Sequence, residues 1–157
     1  MKLAMLLPAP ARARLFVAFG LATRAMTLGV KALVTDGDRV LLVRHTYVPG
    51  WHLPGGGVER GETVREAVEK EVAEETNVRL SASPALFAFY KNASTSRFDH
   101  IALFVCREWK EIGAFEPDAE IEACEWFAAD APPEDATRAT RERIAEVLGD
   151  RAPAEHW

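Results

Sequence analysis

From Thr27 onward the apolar positions change their period along the chain, and each change predicts an element. Residues 28–35 and 39–46 are aliphatic and β-branched runs separated by Asp36-Gly37-Asp38, which is the turn chemistry of a β-hairpin. Residues 51–58, Trp51-His52-Leu53-Pro54-Gly55-Gly56-Gly57-Val58, predict a turn-rich connection with one short extended piece. The period then becomes helical over 62–76, with good helix formers throughout. Residues 84–91 and 100–108 return to strand character on either side of a polar loop at 92–99, and 122–128 is a last strand. Residues 135–148 form an amphipathic helix with Ile144, Val147 and Leu148 apolar, and Gly149 follows as its C-terminal cap. This order predicts a mixed sheet with helices packed on its faces, an α/β or α+β sandwich.

The 157 residues suit one hydrophobic core, and the chain has no internal repeat or low-complexity linker. At 48% hydrophobic and 27% charged it has the composition of a soluble protein rather than of a disordered or polytopic membrane chain. Its 19 Lys and Arg against 24 Asp and Glu give a net charge of −5. That balance argues against an extended nucleic-acid surface but leaves room for a nucleotide-sized substrate. Cys106 and Cys124 are too few for a disulfide framework or a four-ligand zinc site, and read as reduced thiols of a cytoplasmic protein.

Charge is unevenly spread. Lys2, Arg12, Arg14, Arg24 and Lys31 stand in an acid-free first 35 residues. An Arg-bearing amphipathic start fits either a targeting or membrane-surface helix, or a helix over 11–25 that packs on the domain or on a second subunit. The second is the expectation, with residues 1–26 as a helical extension and 27–157 as the domain. Pro8, Pro10 and the arginines keep every apolar run shorter than a membrane span.

The chemistry concentrates on the helix at 62–76. On an ideal helix Val64, Ala67, Val68 and Val72 define one apolar arc roughly 140° wide. Glu71, Glu74 and Glu75 fall on that same side, whereas Glu62, Arg65, Glu66, Glu69 and Lys70 lie opposite. Carboxylates at i, i+3 and i+4 are neighbours, and turning them inward costs several kcal/mol unless something compensates. A divalent cation with oxygen preference is the natural compensation, whereas a merely solvated acidic face would stand opposite the valines. Just upstream, Gly55-Gly56-Gly57 lets backbone approach a ligand closely, so one turn can set main chain and metal around a pyrophosphate.

The run Gly56, five residues, Glu62, seven residues, then Lys70-Glu71-Val72-Ala73-Glu74-Glu75-Thr76-Asn77-Val78 resembles the Nudix box. Leu53-Pro54-Gly55-Gly56 before it is also frequent in that family. The resemblance covers the domain from about Leu28 to Leu148 and implies a Nudix-type α/β/α sandwich with a mixed sheet. Two positions depart from the pattern. Lys70 stands where the family has arginine, keeping the charge but losing the bidentate fork. Asn77 replaces a glycine and is the next most tolerant residue for that backbone conformation.

The resemblance implies a Mg²⁺-dependent hydrolase, with Mn²⁺ as a substitute ion, acting on a diphosphate linkage. Glu71, Glu74 and Glu75 would be the metal ligands, with the base sought among them, and Glu62 a supporting carboxylate. Lys70 would hold a glutamate, and Gly56 would shape the loop. Glu120, just before the last strand, is the first candidate for a further metal-site acid from outside the box, ahead of Glu122 and Glu116. Arg44, Trp51 and Arg97 are candidate substrate contacts, Tyr47 and Phe98 further aromatic candidates, and His45 and His52 read as satisfied structural histidines. The expected substrate is a nucleoside diphosphate linked to another group, such as a nucleotide-sugar of the ADP-ribose kind. Alternatives are a house-cleaning nucleoside triphosphate pyrophosphohydrolase and a non-catalytic ligand sensor on the same fold. The expected partner is thus a small nucleotide, and a homodimer is the expected assembly.

Overall fold

The structure, a computed structural model, describes Pro8, Pro10, Arg14, Phe16, Val17, Phe19, Gly20 and residues 25–157. The helix expected over 11–25 therefore lies largely outside the described residues. Eight strands and two helices follow. They are β1 Thr27–Asp36, β2 Arg39–His45, β3 Trp51–His52, α1 Val64–Glu75, β4 Val78–Leu80, β5 Ala85–Lys91, β6 Asp99–Cys106, β7 Trp109–Glu111, β8 Ile121–Ala128 and α2 Arg138–Leu148.

Alternation along β1 explains the layering. Val30, Ala32 and Val34 face one side and pack with Ala67, Val68 and Val72 of α1 and with Ala102 and Phe104 of β6. Leu33 faces the other side and joins Leu42, Leu103, Tyr90 and Ile144 of α2. The mixed sheet thus lies between two helices as expected, with β1 and β6 parallel and the other pairings antiparallel. Cys106 is buried in the first layer and Cys124 half-buried, both as free thiols. Among the described residues no helix is long and apolar enough to cross a membrane.

Three sequence expectations need revision. The hairpin of β1 and β2 is paired only at its tip, Thr35 with Val40 and Asp36 with Arg39. Beyond it β2 pairs with β8, and β1 pairs with β6 along its full length up to Val34. The edge of β1 so vacated is taken by the glycine segment. The N–H groups of Val30 and Ala32 donate to the carbonyls of Gly56 and Pro54 at 2.8 and 2.9 Å, and Val58 N–H donates to Leu28 at 2.9 Å. Glycine makes this possible: Gly55 has φ +138°, and a Cβ there would overlap the carbonyl of Val30.

The second revision is an added two-stranded sheet of β4 and β7, too short to register in the hydrophobic pattern. The third concerns α2, which begins at Arg138 rather than 135. Ala136 N–H closes a turn onto Pro133, and the Asp135 carbonyl accepts from Trp51 N–H at 3.3 Å. Thr137 then caps the helix by accepting from Thr140 N–H.

Candidate active site

The site forms where α1 passes under the glycine segment. Its start is fixed by a capping box: Thr63 Oγ1 accepts from Glu66 N–H while the Glu66 carboxylate accepts from Thr63 N–H. Glu62 lies one residue before that cap and accepts from Glu59 N–H at 3.0 Å, which ties the loop to the helix. Lys70, two turns on, meets Glu62 at 3.1 Å, Glu59 at 3.4 Å and Glu71 at 3.6 Å. Glu62 thus supports Lys70, and Lys70 supports Glu71, with no bidentate geometry needed.

Glu71 and Glu75, one helical turn apart, turn inward with side chains 15% and 10% exposed. Glu75 Oε2 accepts from Gly55 N–H at 2.6 Å. The Glu71 carboxylate lies against Gly56, where any Cβ would collide with it. Burial pushes Glu75 up to about 7, with Glu71 and Glu120 adding to the rise and Lys31 and the Gly55 N–H opposing it. Burial raises Glu71 as well. Both carboxylates are thus harder to ionise here than in water.

The cation that faces both is Lys31, which the sequence reading passed over. Its Nζ donates to the carbonyls of Leu53 at 2.9 Å and Gly55 at 2.6 Å. Burial lowers its pKa, and the charges of Glu75 and Glu71 hold it up. The available signal was a charge inside the otherwise aliphatic run of β1.

His45 is a second such residue. It is buried, its Nδ1 has no partner, and Nε2 stands 3.9 Å from Glu75 Oε1. Burial, with Lys31 and His52 adding to it, lowers it to about 4, so the imidazole is neutral and forms no ion pair at neutral pH. It is therefore not the satisfied structural histidine expected. His52 is, with its ring nitrogen 3.0 Å from the Pro49 carbonyl.

The remaining candidates divide. Glu120 lies near enough for its charge to act on Glu75 and Tyr47, and its backbone is fixed by Thr46 N–H donating to its carbonyl at 2.9 Å. Tyr47 is 68% exposed, lines the same cleft as Arg44 and has its ring 5.2 Å from that of His45; burial raises its hydroxyl pKa, with the charges of Glu75, Glu120 and Glu71 adding to the rise. Arg44 lines a cleft of about 460 Å³ with Tyr47, Val48, Glu122 and Asp135, and is ion-paired to Asp135. Glu74 is exposed at one edge of the inward arc, beside Asn77. Trp51, a candidate substrate contact, lies in the core layer at 5% exposure, in T-shaped contact with Phe127 at 4.8 Å and under the Arg44 guanidinium at 4.7 Å. Arg97 stacks on its neighbour Phe98 at 4.5 Å and is absent from the lining of the cleft that contains Gly55, Gly56 and Gly57.

The donor set is all oxygen: two carboxylates and nearby backbone carbonyls. It suits a hard divalent cation, whose binding would offset the cost of holding Glu71 and Glu75 inward. Among the described residues no three His, Cys, Asp or Glu side chains converge as a closed cage. A Mg²⁺-type site of one or two carboxylates completed by water and substrate phosphate matches that arrangement better than an all-protein cage.

The NUDIX domain family model matches residues 26–147 of this chain. A relative from Pseudomonas syringae pv. syringae, named NAD-capped RNA hydrolase NudC, is 34% identical over 78% of this chain and 44% of its own length. A MutT-like protein from Streptomyces ambofaciens is 32% identical over 76% of this chain and 69% of its own. The chain thus spans less than half the length of the first of these relatives. Among solved structures, a MutT NUDIX hydrolase from Burkholderia pseudomallei superposes with a TM-score of 0.63 at 28% identity, over 77% of this chain and 97% of that one.

Proposed function

The chain belongs to the Nudix hydrolase family, and from that premise we propose that it hydrolyses the diphosphate linkage of a nucleoside diphosphate joined to another group, with Mg²⁺ or Mn²⁺ as cofactor. One observation carries the reading: Glu71 and Glu75, one helical turn apart on α1, turn inward against the backbone of Gly55 and Gly56. Two inward carboxylates on adjacent turns are a costly arrangement for a purely structural acidic face, even with Lys31 and Lys70 beside them.

In this reading Glu71 and Glu75 would hold the cation, with Glu74 on α1 and Glu120 before β8 as further candidate carboxylates. A bound ion would neutralise phosphate charge and lower the pKa of the attacking water. Lys70 fixes Glu71 so that its oxygens stay aimed at the cleft. A carboxylate of this set takes the proton of the attacking water. Arg44 meets phosphate charge, and Tyr47 gives the nucleoside an exposed ring on which to stack. The name of the Pseudomonas relative, a hydrolase of NAD-capped RNA, favours a dinucleotide-type diphosphate over a simple triphosphate.

The test is hydrolysis of ADP-ribose, other nucleotide-sugars, dinucleotides and nucleoside triphosphates with Mg²⁺ or Mn²⁺, each beside Glu75→Gln. The expected products are two monophosphate moieties, formed only with metal and not by the variant. Release of pyrophosphate from a triphosphate would instead indicate the house-cleaning activity. Ligand-induced thermal stabilisation with no turnover at all would indicate a sensor.

A further inference from the structure

We propose that Lys31 is a built-in counter-cation of the carboxylate site, a positioning residue that assembles the site before metal arrives and weakens its hold on the metal. The inference rests on the metal-binding reading above and adds to it a residue outside the family motif.

Lys31 belongs to β1, far in sequence from the helix that bears the carboxylates. Its Nζ grips two backbone carbonyls, Leu53 at 2.9 Å and Gly55 at 2.6 Å, on either side of Pro54. The peptide N–H of that same Gly55 is donated to Glu75 Oε2 at 2.6 Å. One ammonium therefore fixes the glycine segment, and the segment aims a donor at the carboxylate. Backbone carbonyls and two inward carboxylates are the surroundings a hard cation seeks, and an ammonium whose charge Glu75 and Glu71 sustain against its burial supplies a positive charge there.

Two consequences follow from Coulomb's law in a partly desolvated site. Without metal, Lys31 offsets part of the repulsion between Glu71 and Glu75, so the site is formed in advance. With metal, the same charge repels the arriving ion. Replacing it by a neutral side chain strengthens metal binding, an outcome that damage to the fold would not produce.

The experiment uses the full chain stripped of metal and titrated with Mn²⁺ alone, read by calorimetry or by electron paramagnetic resonance of the free ion. Lys31→Gln keeps an N–H donor for the two carbonyls, Lys31→Met keeps neither donor nor charge, and Lys31→Arg keeps the charge. Mn²⁺ affinity is expected to rise about tenfold in the Gln and Met variants and to stay within about twofold in the Arg variant. Unchanged or weaker binding in the Gln variant overturns the proposal. A second arm needs no metal: Lys31→Met should lower the Tm by several degrees in the parent and clearly less in a Glu75→Gln background. Equal losses in the two backgrounds overturn the charge pairing even if one variant proves too unstable to titrate. Parent protein that takes up no Mn²⁺ would count against the metal-binding reading itself, whereas binding by the parent without a shift in the variants counts against the role of Lys31.

Discussion

Gly55 donates its backbone N–H to the Glu75 carboxylate at 2.6 Å while its carbonyl accepts from Lys31 at 2.6 Å, so a single peptide segment links a strand lysine to a helix glutamate. That link holds a carboxylate in the interior whose burial raises its pKa from 4.5 to about 7. The first prediction follows from the sign of that shift. A carboxyl whose folded pKa lies above its unfolded one favours the native state below pH 4.5 and loses that advantage as pH rises through about 7. At roughly 1.4 kcal/mol for each tenfold in proton affinity, the full loss is about 3 kcal/mol at most. Glu75→Gln, which is neutral throughout, should therefore be inactive yet more stable than the parent at pH 8 when metal-free. The two should converge near pH 4.5, as chemical denaturation at both pH values would reveal.

The same proton competes with metal. Mn²⁺ affinity of the parent should fall about tenfold for each pH unit below about 7 and level off above it. Calorimetric titration from pH 5.5 to 8 measures the slope, and a flat profile would mean that Glu75 is not a ligand.

Much of this was legible in the sequence, and the reason is local. The spacing of Glu62, Lys70, Glu71, Glu74 and Glu75 lies on one helix and its cap, where the period of 3.6 decides which side chains share a face. Glu74 marks the limit of that argument, since it sits at the edge of the arc and ends exposed. Lys31 and His45 were not legible, because they reach the site through strand pairing across the chain. The glycine segment adds to β1 only because β2 leaves it for β8, and no local pattern encodes that exchange.

The two glycines should separate fold from site. Gly55→Ala places a Cβ against the Val30 carbonyl at φ +138°, where backbone must move on both sides, so loss of stability by several kcal/mol is expected. Gly56→Ala has no positive φ to strain, and the three atoms nearest its Cβ all belong to the Glu71 carboxylate. Its thermal stability should stay near that of the parent while Mn²⁺ binding weakens by about tenfold or more.

Lys70 should act through Glu71 alone. Lys70→Met removes the charge that meets Glu62, Glu59 and Glu71 from a partly exposed position. Turnover should fall about tenfold with the KM for nucleotide little changed, because the loss is of orientation at the reacting end. Lys70→Arg should restore or exceed the parent rate, since a guanidinium can grip Glu71 and Glu62 with separate N–H groups.

Two aromatic residues near the cleft should behave oppositely. Trp51 is 5% exposed, in T-shaped contact with Phe127 and under the Arg44 guanidinium, so its ring is largely taken up by packing. Trp51→Ala should cost about 3–5 kcal/mol of stability through the cavity it leaves. Tyr47 is 68% exposed and lines the cleft beside Arg44, so removing it costs no core packing. Tyr47→Ala should keep the parent melting temperature and kcat but raise KM about tenfold, the worth of one base–aromatic stack. Tyr47→Phe should retain the parent KM, because stacking needs the ring and not the hydroxyl. If the Phe variant lost affinity as the Ala variant does, the hydroxyl would be the contact, and Tyr47 would be binding phosphate or sugar rather than base.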